Sequence, residues 1–158
     1  GLAVGGLPDG TVDKDTLAVG VQSKVLQVVN ATYATSILTT SATLSDTGIT
    51  ATITPTSATS KILVTVNVTG IQKSGNTYGI LKLLRGATSI TTFETQSGYT
   101  GDAAVSNIGS SSVSYLDSPA TTTATTYKVQ MNSATAISYF SISQGSSTST
   151  ITLMEIGV

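Results

Sequence analysis

Between Ser60 and Thr69 the chain reads SKILVTVNVT. Ile62, Val64, Val66 and Val68 fall on one face, and Leu63, Thr65, Asn67 and Thr69 on the other. A period of two is the mark of a β-strand, because successive side chains point to opposite faces. The same grammar recurs along the chain. Lys24–Tyr33, Thr47–Thr54, Tyr78–Leu84, Thr125–Met131, Ile137–Ser143 and Ser149–Ile156 read as strands, with shorter ones at Ser89–Phe93 and Ser111–Leu116. Turn signals separate them at Thr54-Pro55-Thr56, Ser74-Gly75-Asn76, Asp117-Ser118-Pro119 and Gln144-Gly145-Ser146. About nine strands at a spacing of roughly 8–15 residues predict an all-β antiparallel sandwich or jelly roll. No segment of this body has helical periodicity.

The first 23 residues differ. Gly1–Gly6 is glycine-rich, Leu7-Pro8-Asp9-Gly10 is a turn, and Val12–Ala18 suits one or two helical turns. The division is therefore an N-terminal arm or linker at 1–23 and a β head at 24–158. The start at Gly1 fits either a removed initiator Met or the C-terminal part of a longer protein.

Several strands are apolar on both faces: Val25, Leu26, Val28 and Val29; Ile80, Leu81, Leu83 and Leu84; Tyr139, Phe140 and Ile142; Ile151, Leu153, Met154 and Ile156. One face fills a sandwich core. The other needs a second layer of loops or another copy of the chain, because exposed patches of that size are uncommon on monomers. Composition sharpens this, since only 9% of the 158 residues are charged. The expectation is a homo-oligomer.

Composition also removes most chemistry. There is no Cys, His or Trp. Disulfides, thiolate nucleophiles, Ser-His-Asp triads and imidazole or thiolate metal sites are absent with them. Seven Lys and Arg face eight Asp and Glu, for a net charge of -1. The chain therefore lacks the basic surface that nucleic acid requires. It has no apolar run long enough to span a membrane. The 30 Thr and 22 Ser, with a mean hydropathy of +0.26, suit strands rather than disorder.

The nearest pair of carboxylates for glycoside hydrolysis is Glu94 with Asp102. The simpler reading makes Glu94 a solvated strand end and Asp102 a turn residue. Asp9, Asp13 and Asp15 cluster but lack the glycine and twelfth-position Glu of a calcium loop. Asn30-Ala31-Thr32 and Asn67-Val68-Thr69 fit the glycosylation sequon, yet both fall inside strands. No cofactor, metal or catalytic residue is expected, and the chain reads as non-enzymatic. The loops 72–78 and 94–103 set Tyr among Gly, Asn and Ser, which suits contact with sugar or protein. Lys73, Asn76, Tyr78, Gln96 and Tyr99 are the candidate contact residues.

An ordered set of motifs runs through the chain. It comprises Lys24–Val29, Asp46–Ile49, Ala51–Pro55, Ser60–Val64, Leu84-Arg85-Gly86, Tyr115–Pro119, Thr126–Gln130 and Thr150–Ile156. Together these resemble a C-terminal domain of tail-fibre and virion structural proteins of tailed phages, particularly marine and cyanobacterial ones. Gly6–Val12 resembles the linker that precedes it. The resemblance implies a homotrimeric, C1q/TNF-like jelly-roll head on a virion. Its partners would be a fibre shaft and a host surface glycan or protein. The alternative role is a capsid decoration (cement) protein, seated on the major capsid protein at three-fold positions.

Overall fold

A computed structural model describes residues 24–158. The arm at 1–23, with Asp9, Asp13 and Asp15, lies outside the described residues.

The chain forms ten strands: β1 (Val25–Tyr33), β2 (Ile37–Thr39), β3 (Ser45–Ile53), β4 (Lys61–Lys73), β5 (Gly79–Arg85), β6 (Thr88–Ser97), β7 (Ser106–Asp117), β8 (Thr125–Ser133), β9 (Phe140–Ile142) and β10 (Ser149–Ile156). Among the described residues the one helical feature is a 3-10 turn at Gln144–Ser146. All strand pairs are antiparallel. One sheet runs β1-β10-β4-β9-β2, with β7 on the free edge of β4. The other runs β3-β8-β5-β6.

The two sheets pack face to face. Ile62, Val64, Val66 and Val68 of β4 and Ile151 and Leu153 of β10 meet Ile49 and Ile53 of β3, Leu81 and Leu83 of β5, and Val129 and Met131 of β8. Each such side chain, fully buried, contributes roughly 1.5–3 kcal/mol relative to exposure. Of the two faces of β4, the one that carries Ile62, Val64, Val66 and Val68 is the buried one.

Pattern alone misplaces some boundaries. β4 continues to Lys73, β6 to Ser97, and β7 begins at Ser106. These extensions lack clean alternation and are held by backbone pairing with a neighbouring strand, as in Lys73↔Ser106 and Gly79↔Ser97. Conversely, Ile137–Tyr139 is loop, and the strand is only Phe140–Ile142. The short β2 carries too few residues to show a period.

The surplus apolar residues have two fates. Leu83, Leu84, Phe140 and Ile142 are buried within the chain. On the outer face of the six-stranded sheet others stay open. Val28 lies opposite Met154, Met154 opposite Leu63, and Leu63 opposite Leu116, one continuous row across four strands. Val28 is 55% and Leu116 51% exposed. Exposed Val25, opposite Ile156, and Leu26 extend the row at one end. The outer face of the other sheet differs in kind: Lys82, Gln130 and Asp46 lie in register, and Lys128 Nζ bonds Asp46 Oδ2 at 2.9 Å.

The strand directions define two poles. Lys24, Gly157, Lys61, Arg85 and Asp117 gather at one, with Gly157 N donating to Lys24 O at 2.7 Å. Lys73, Ser106 and Phe140 mark the other, a full length of β4 away.

Candidate functional site

The far pole is built from three loops, 74–78, 98–105 and 134–139. Lys73 holds the first two together. At the end of β4 its side chain turns inward and is fully buried. Its Nζ donates to Gly75 O at 2.9 Å and to the carbonyl oxygen of Asp102. A backbone bond from Gly75 N to Ala103 O at 3.1 Å runs alongside. Lys73 is therefore not presented to a partner, in contrast to its place among the candidate contact residues. Its long stem suits this clamp, because only the terminal nitrogen needs polar partners.

The third loop docks on the first. Ser74 N donates to Tyr139 O at 3.0 Å, and Tyr139 N to Ser74 Oγ at 3.1 Å. Thr77 Oγ1 contacts Ser133 Oγ at 3.0 Å and accepts from Thr135 N at 3.1 Å. Gly75 makes the approach possible. Its φ is +67°, and a Cβ there would lie 2.1 Å from Ser138 Oγ.

The two sequence-identified loops meet through their aromatic rings. Tyr78 and Tyr99 pack edge to face, with centroids 6.0 Å apart and planes at 85°. Tyr99 is 53% exposed, Asn76 and Gln96 are exposed, and Tyr78 is half-buried. Four of the five candidate residues thus retain some access to solvent. Ile137, 92% exposed, lies in the third loop, which sequence reasoning missed. Its segment, Ile-Ser-Tyr-Phe-Ser-Ile, predicts a strand because it is rich in β-branched and aromatic residues.

The acidic residues of this region serve their own turns. Glu94 Oε1 accepts from the backbone N of Thr95 and Gln96 at 3.1 and 3.3 Å. Asp102 Oδ1 accepts from Ala104 N at 3.1 Å. The two carboxylates share no hydrogen bond. Among the described residues no group of three His, Cys, Asp or Glu side chains could hold a metal ion.

Beside the loops, on the outer face of the six-stranded sheet, lies an open groove of about 590 Å³. β4 and β7 lose register between Val68 and Gln72, and the 3-10 turn crosses beside them. Gln72, Asn107 and Gln144 contribute amides, and Thr69, Ser110 and Ser147 hydroxyls. The one sequence signal for it is Gly109 within a run of Ser and Asn, where a glycine inside a strand marks a bulge.

No protein-family model matches the chain, and neither does any curated protein sequence.

Proposed function

We propose that this chain is the head of a trimeric phage virion fibre, a non-enzymatic structural protein that meets the host surface with its loop pole. The observation that carries the reading is the apolar row Val28–Met154–Leu63–Leu116 on a sheet face whose strands carry no charge between Leu63 and Gln72. The outer face of the opposite sheet carries Asp46, Lys82 and Lys128. An asymmetry of this kind suits one face buried between copies and one left in water.

The strand order supports a jelly roll within the sandwich class. Counting only the eight long strands in chain order, the sheets read 1-8-3-6 and 2-7-4-5. Three-fold closure is what the resemblance of the motifs to trimeric virion heads implies. The poles favour a fibre head over a capsid cement protein. Residue 24, where the arm joins, sits at one pole, and the three loops sit at the other. A tethered head would present its loops outward, and three copies would gain avidity from weak contacts.

The test is the native mass by light scattering over a tenfold dilution series. A constant mass three times 16.0 kDa is expected. A stable monomer would remove the physical support for the reading. Labelled protein should then bind intact host cells in preference to purified capsids; the reverse would assign it to the capsid.

A further inference from the structure

We infer that the groove between β4, β7 and the 3-10 turn is a binding site for a neutral saccharide. The inference deepens the surface-contact reading above and rests on it for its setting, but its geometry belongs to a different surface from the loops.

A directed chain of hydrogen bonds arranges the groove's polar atoms. The Tyr139 hydroxyl donates to Gln72 Oε1 at 3.0 Å, and Gln72 Nε2 donates to Asn107 Oδ1 at 2.7 Å. In this arrangement both acceptor oxygens are engaged. Asn107 Nδ2 is left with no protein acceptor among the described residues. Gln144, which also lines the groove, donates from Nε2 to Ser36 Oγ, and its Oε1 has no protein donor among the described residues. The groove thus offers a donor and an acceptor. Adjacent sugar hydroxyls, each both donor and acceptor, match such a pair.

The groove is open at Gly109. Gly109 sits at the bulge with φ +113°, a conformation that L side chains rarely adopt. Nothing lies within 4 Å of where its Cβ would stand. The backbone is therefore bare at the point where β4 and β7 part.

The lining also excludes other ligand classes. No ionisable side chain lines the groove. Phosphate, sulfate and sialic acid would find no cation, and a nucleic acid no basic track. An extended peptide would seek apolar pockets for alternate side chains, and Ile71 is the only apolar side chain in the lining.

The test applies the full chain to immobilised neutral hexose and N-acetylhexosamine oligosaccharides, with sialylated and sulfated ones alongside. Binding to at least one neutral glycan is expected, without preference for the anionic ones. Asn107→Ala should weaken that binding by about tenfold or more through the lost donor. Ser110→Trp, which places a ring in the groove from an exposed position, should abolish it while leaving the circular dichroism and melting temperature unchanged. Absence of neutral-glycan binding would overturn the inference, as would equal binding by both variants. Protein that binds host cells but no neutral glycan would overturn the saccharide site alone. Protein that binds neither would overturn the surface-contact reading as well.

Discussion

The hydroxyl of Tyr127 donates to Asp117 Oδ2 at 2.6 Å, across the gap between the two sheets. Tyr127 belongs to β8 and Asp117 to β7, so the bond ties one layer of the sandwich to the other. Arg85, from β5, adds bonds from Nη1 to both carboxylate oxygens at 2.9 and 2.8 Å. This is the polar closure of the pole where the arm joins. Tyr127→Phe should destabilise the fold by about 1–3 kcal/mol in chemical denaturation. Asp117→Ala should cost more, because two donors then lose one acceptor. Equal losses for the two variants would show that Arg85 adds nothing to the closure.

Glu155 gives the fold an acid limit. Its side chain is buried on the inward face of β10. Burial alone would push its carboxyl up, but hydrogen bonds from Gln27 Nε2 at 2.6 Å and from Thr56 N and Oγ1 at 2.8 and 2.7 Å outweigh it. The carboxyl is held down at about 2, below the ordinary 4.5. A depressed folded value means that the stabilisation is complete above 4.5 and fades as pH falls from 4.5 towards 2. The melting temperature should drop across that window, and Glu155→Gln should flatten the drop. An acid limb unchanged in Glu155→Gln would place its cause elsewhere.

An alkaline limit comes from Tyr127. Burial, then the bond to Asp117, pushes its phenol above the ordinary 10.0. The raised value keeps its contribution intact below pH 10 and removes it as pH rises further. Spectrophotometric titration should show a Tyr that ionises only on unfolding, and Tyr127→Phe should remove that signal.

Lys73 is the clamp of the loop pole. Lys73→Met keeps most of the side-chain volume but strips a donor from the carbonyls of Gly75 and Asp102. Each carbonyl left dry costs about 1–3 kcal/mol, so the loops should loosen before the sandwich melts. Hydrogen exchange at the amide of Gly75 should rise while that of β4 residues Val64 and Val66 holds. Unchanged protection at Gly75 would mean that the backbone bond to Ala103 suffices alone.

The apolar row is tested by charge. Leu63→Glu places a charge between Met154 and Leu116 on the outward face of β4. The expected outcome is a folded chain of 16.0 kDa by light scattering, with unchanged far-UV circular dichroism. A mass equal to that of the unmodified protein would put any self-association on another surface.

The strands were legible where one face is buried. Ile62 to Val68 and Tyr127 to Met131 announce their faces, because a period of two survives wherever core packing demands it. The ends of β4 and β7 were not legible. Their residues are held by pairing, and backbone hydrogen bonds leave no trace in side-chain type. The two Tyr loops could be picked out as loops, yet nothing in sequence revealed that Tyr78 would meet Tyr99. Lys73 misled for a clear reason: a lysine beside a turn usually reaches water, and only the loop carbonyls of Gly75 and Asp102 turn it inward. The groove escaped because its amides come from three separated segments.

The adjacency of Lys24 and Gly157 has a mechanical side. β1 lies antiparallel to β10 along its whole length, from Val25↔Ile156 to Tyr33↔Ser149. The loop pole lies about 40 Å away along β4, at the rise of 13 extended residues. A pull between residue 24 and the loop tips therefore runs parallel to the strands and perpendicular to their hydrogen bonds. It would strain the β1–β10 ladder in shear, with every rung sharing the force, rather than peel the rungs apart one by one.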